Sequence, residues 1–140
     1  MAKKHRTTNV TREQAQGYLN KAREFLRDSK KAMRDGQWNS AGLLAIHSTI
    51  SASDALLGYQ AGLRSTSPDH KTSADLLNGI GAGSRDWSKQ INRFNRILGK
   101  KNLVEYEARP ITEKEASYLV EQADRFVRWV LGIVSGEVVQ

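Results

Sequence analysis

Apolar side chains recur at spacings of three and four from the first third of the chain onward. Ala15, Tyr18, Leu19, Ala22, Phe25, Leu26 and Met33 form one stripe, the signature of a helix with one buried face. Thr11 and Gln14 offer a reciprocal capping box, so this helix is predicted from Thr11 to about Arg34, before Gly36. Residues 1–10 are basic and lack such a stripe, which predicts a mobile arm. A second helix, Trp38 to about Leu63, is rich in small residues, with Asn39 or Ser40 as its cap. Ala41, Gly42, Ala45, Ser48, Ala52 and Ala55 would let neighbours approach closely, so this helix is expected at the centre. Ser67 before Pro68 starts a short third helix through Leu76, Leu77 and Ile80, which the glycines at 81 and 83 end. Ser84 opens a fourth, marked by Trp87, Ile91, Phe94 and Leu98 and reaching Gly99 or Lys101. Thr112 and Glu115 form another capping box ahead of Ala116, Leu119, Val120, Ala123, Phe126, Val127, Val130 and Val134. No segment alternates as a strand would, and the prediction is an all-α, antiparallel bundle of about five helices.

Length and composition narrow this further. One domain over residues 11–140 is expected, since 140 residues with 39% hydrophobic content close a single core. The absence of cysteine excludes disulfides, thiolate metal sites and Cys nucleophiles. No stretch is apolar enough for a membrane span, and a soluble cytoplasmic protein without a membrane partner is expected. His47, Asp54, Asp69 and His70 show no known ligand spacing, so no metal is expected. The glycine-rich turn at 79–84 follows a helix and lacks a phosphate-loop ending, so no nucleotide cofactor is expected either.

The net charge is +7 and the pI about 9.9, which raises the local concentration of polyanions around the protein. At 100° per residue Arg85, Lys89, Arg93, Arg96 and Lys100 fall within an arc of about 80° on the fourth helix, opposite its apolar face. Such a stripe repels itself unless anions answer it, which predicts phosphate contact; acids of a neighbouring helix, such as Glu113 or Glu121, are the competing answer. A second basic run, Arg23, Arg27, Lys30, Lys31 and Arg34, is interleaved with Glu24 and Asp28 and is taken as a solvated face. Among the histidines, His5 lies in the arm and His70 at the start of the third helix. His47 and Asp54 share a helical face with Ser51, as a structural polar pair inside the bundle or as part of a site.

The stretch Ala45–Gly62 (AIHSTISASDALLGYQAG), followed by Pro68-Asp69-His70 and Leu76-Leu77, resembles the second and third helices of HEPN superfamily proteins. Lys100–Ala116 (KKNLVEYEARPITEKEA) is similar to the segment leading into that family's last helix. The resemblance implies a HEPN-like bundle, a homodimer, and an RNA-associated role in a toxin–antitoxin or defence setting. In nuclease members an Arg with a polar neighbour, and a His a few residues on, carry metal-independent RNA cleavage through the 2′-hydroxyl. The corresponding positions here are Lys101, Asn102 and Tyr106, a degenerate set: lysine lacks the planar two-pronged grip of arginine on phosphate, and a phenol is a poor base at neutral pH. Arg64 and His70 match the same spacing elsewhere and form an alternative set. The resemblance therefore implies a non-catalytic or weakly catalytic RNA-binding protein. Its alternatives are an active ribonuclease and an interaction module that pairs with a nucleotidyltransferase-like or antitoxin protein.

Overall fold

The computed structural model describes residues 6–67, 70–81 and 84–139. In chain order these form β1 (Thr7–Asn9), α1 (Arg12–Arg34), α2 (Trp38–Ala61), β2 (Leu63–Ser65), α3 (Lys71–Ile80), α4 (Arg85–Leu98), α5 (Lys101–Tyr106) and α6 (Glu113–Val139). The five long elements of the predicted bundle are all present. The short α5 is an addition, falling where the sequence pattern predicts only a tail of the fourth helix and a loop.

Both capping boxes form because each is closed by residues three apart, independent of tertiary context. Gln14 N–H donates to Thr11 Oγ1 while Thr11 N–H donates to Gln14 Oε1. Thr112 and Glu115 make the same reciprocal pair at the start of α6, and Ser84 Oγ accepts from Trp87 N–H at the start of α4. Neither Asn39 nor Ser40 caps α2, which begins at Trp38 behind Gln37. Asn39 Oδ1 instead accepts from Ile111 N–H at 3.0 Å, tying the start of α2 to the segment that leads into α6. Gly62, at φ +67°, ends α2 in the left-handed conformation that favours glycine.

The expectations of a free arm and of no strand both need correcting. β1 and β2 pair antiparallel, with Thr7 opposite Ser65 and Asn9 opposite Leu63. Val10 is buried, and its N–H donates to Gly62 O at 2.8 Å. Residues 6–10 are thus held against the end of α2, while 1–5 lie outside the described residues. Two strands of three residues carry too little alternation to show in a sequence.

Helix α2 packs against α1, α6, α3, α4 and α5, and Ala41, Ala45, Ala52 and Ala55 on it are fully buried. Two of its buried hydroxyls find partners, Thr49 donating to Ala45 O and Ser48 donating to Ala22 O, and Ser29 of α1 donates to Ala41 O, whereas Ser53 Oγ is buried without a hydrogen-bond partner among the described residues. Aromatic rings join α4 to α6, with Phe94 and Phe126 at 5.4 Å between centroids and Trp87 edge-on to Trp129 at 4.9 Å. Among the described residues no helix is long and apolar enough to cross a membrane.

Candidate functional site

The buried flank of α4 places its opposite flank in solvent, and this is where the predicted basic stripe lies. Arg85, Lys89 and Arg96 on α4 and Lys100, which falls beyond its end as the residue before α5, are exposed, and among the described residues none of them lies in an ion pair. The acids that could have answered them are engaged elsewhere or remain apart. Glu121 bonds Arg125 on its own helix at 2.8 Å, Asp86 accepts from Trp129 Nε1, and no ion pair among the described residues joins Glu113 to the stripe.

Arg93 does not belong to that exposed set, although its helical angle predicts it. It stands at the edge of the arc facing α6 and is only 8% exposed. Its Nε donates to Gln122 Oε1 and its Nη1 to Gln90 Oε1, both at 2.8 Å. Burial, and then the neighbouring cations Arg125 and Arg96, lower its pKa from the usual value. The guanidinium is a bridge between α4 and α6.

The two alternative motif sets are divided and recombined by the fold. A cleft of about 520 Å³ between α3 and the α4–α5 corner is lined by His70, Lys71, Asp75, Asn95, Lys101 and Asn102. His70 of one set therefore lines the same cleft as Lys101 and Asn102 of the other. Arg64 turns away to Asp54 Oδ2, at 3.8 Å, and to the face of Tyr18, at 5.4 Å. Tyr106 is 72% exposed, with the Lys101 ammonium 5.5 Å from its ring centroid.

Family comparison agrees with this architecture. The family model for the HEPN domain matches residues 15–133. The chain belongs to the HEPN family. Its fold is similar to that of the crystal structure of an archaeal HEPN homologue, with a TM-score of 0.64 and 20% identity over 86% of this chain and 97% of that one. No curated protein matches it in sequence.

Within this HEPN domain the polar pair expected between His47 and Asp54 is not formed. His47 points toward α5, where its Nε2 lies 3.1 Å from Glu105 Oε1, and Asp54 faces Arg64. A seven-residue step on a helix aligns two positions, but neighbouring elements decide which side chain each one meets. The other oxygen of Glu105 accepts from Lys101 Nζ at 3.0 Å. Burial works to raise the Glu105 pKa, yet hydrogen bonds from Lys101 and Tyr106 and the charges of Lys101 and His47 outweigh it and hold the carboxyl below its ordinary value. The hydrogen bond to Glu105 raises the Lys101 pKa in turn. Glu105 is the functional residue that sequence reasoning passed over. The one signal available was its position four residues after Lys101, a spacing that favours a helical ion pair.

The HEPN domain thus presents a cationic α4 face beside a cleft with an imidazole, two amides, lysines and a carboxylate. Such a combination can hold a phosphate backbone and present hydrogen-bonding groups to what the backbone carries. The motif lysine meets an ionised carboxylate at hydrogen-bond distance, which any incoming phosphate has to displace.

Proposed function

We propose that this HEPN chain is an RNA-binding homodimer, non-catalytic or weakly catalytic, in a toxin–antitoxin or defence setting. The observation that carries the RNA reading is the α4 face, where Arg85, Lys89 and Arg96, with Lys100 just beyond the end of the helix, stand exposed with no carboxylate paired to them among the described residues. Uncompensated cations along one helix fit a regularly charged polyanion, which gains by releasing counterions when bound. The setting and the homodimer rest on family resemblance. Weak or absent catalysis is supported by the replacement of the family's Arg and His with Lys101 and Tyr106, and by the Glu105 carboxylate bound to Lys101.

The test is binding of a generic single-stranded RNA at two salt concentrations. Each phosphate neutralised contributes about 0.7 to the slope of log affinity against log salt, so three or four contacts give a slope of roughly −2 to −3. Replacing Arg85, Lys89 and Arg96 together by Glu should remove most of the binding while circular dichroism stays native, because these exposed residues are comparable helix formers. Arg93 is left in place because its role is structural. Equal binding by this variant, or binding indifferent to salt, would discard the RNA reading.

A second reading, an active metal-independent ribonuclease, draws on the cleft where His70, Lys101 and Asn102 come together. It requires cleavage of labelled RNA in EDTA that is lost in His70→Ala.

A further inference from the structure

A second concavity lies on the other side of α5. It encloses about 330 Å³, and its walls are Leu103 and Val104 of α5, Ile111, and Tyr118 and Leu119 of α6. The floor owes its shape to α2: Gly42 carries no side chain, so Val104, Ile111 and Leu119 close directly over it. The groove is open at the surface, where Tyr118 is 38% exposed.

Its charges are placed unevenly. Lys100, just before α5, and Lys114, in the first turn of α6, both line the groove and are exposed. Neither is in an ion pair among the described residues. The groove's single acid, Glu115, is already taken: Arg109 holds both its oxygens at 3.0 and 2.9 Å, and Thr112 donates to it as well. An apolar trough therefore sits between two unanswered ammonium groups, one on each flanking element.

We propose that this groove docks a short amphipathic segment of another protein, with apolar anchors at helical spacing and Asp or Glu on its flanks. Aliphatic anchors fill the trough between Leu103 and Tyr118, and the flanking carboxylates meet Lys100 and Lys114. Charge complementarity selects this occupant over a second copy of the chain. A copy that paired this groove with its own equivalent would bring a second Lys100 and Lys114 to the same place. The groove is distinct from the α4 face but shares Lys100 with it, so a docked acidic segment takes one cation from the RNA-binding set.

The probe is a short random-peptide library selected on the native protein, followed by fluorescence anisotropy with the enriched sequences. The expected consensus has apolar residues one turn apart and acidic residues beside them. Its affinity should fall at least about tenfold with Lys100→Glu plus Lys114→Glu, and likewise with Tyr118→Ser. Lys21→Glu, a change at another exposed lysine on α1, should leave it unaltered, which separates local pairing from net charge. Native thermal melts of each variant confirm the fold. The proposal is overturned if no consensus emerges, if the consensus lacks acids, or if the variants bind the peptide as well as the native protein. It is also overturned if Tyr118→Ser abolishes RNA binding, which assigns the groove to nucleic acid, or dissociates a dimer, which assigns it to a second copy.

Discussion

Asp54 and Glu105 are two carboxylates that the same fold treats in opposite ways. Asp54 is 8% exposed, and burial pushes its carboxyl from 3.8 up to about 6 while the Arg64 cation opposes the shift. The folded protein therefore holds this proton more tightly than the unfolded chain does, so stability falls as pH rises through that interval. Asparagine at this position cannot ionise. Between about pH 4 and pH 7, denaturation of Asp54→Asn and the native protein should diverge by on the order of 1 to 3 kcal/mol in favour of the variant. Parallel stability curves would show that Asp54 is not buried as described. Glu105, by contrast, is kept ionised by Lys101, Tyr106 and His47, and it occupies the lysine that lines the cleft. Glu105→Gln should release Lys101 toward phosphate, tighten single-stranded RNA binding several-fold and steepen its salt slope by about 0.7. An unchanged slope would mean that Lys101 does not reach the bound strand. The sequence alone singled out Lys101 and His47, but their common partner became visible only when α2 and α5 were set side by side.

Among the elements, those defined by local chemistry were legible and those defined by contact were not. Thr11, Ser84 and Thr112 announce their helices because each cap is completed within the next three residues. Helix α5 escaped notice because six residues are too few to show a period, and the ribbon because its two halves are far apart in sequence. Small residues correctly marked α2 as central, and Gly58 is where this matters most. A Cβ added there would lie 2.8 Å from Ala15 Cβ and 2.9 Å from Val10 Cγ1, so α1 and the β1 connection fit against bare backbone. Gly58→Ala gains helix propensity but overpacks this contact. The net effect should be a loss of about 1 to 3 kcal/mol in urea denaturation, and a stabilised variant would show that α1 can shift outward freely.

For the whole molecule, a homodimer implies a species of twice 15.7 kDa in sedimentation at micromolar concentration; a single-chain mass would remove that part of the functional proposal. The five long helices, the caps of α1, α4 and α6, the central position of α2 and the concentration of positive charge on α4 were determined by the sequence itself. Each depends on residues within a turn or two of one another, where backbone hydrogen bonding and the 3.6-residue period leave little choice. Tertiary structure decided what each exposed or aligned position meets. It turned Arg93 from an expected phosphate contact into a bridge to Gln122, gave His47 to Glu105 and Asp54 to Arg64, and placed His70 in one cleft with Lys101 and Asn102. Those pairings depend on which helix faces cover one another, and a face is covered only once the long-range packing of α2 against its neighbours has formed.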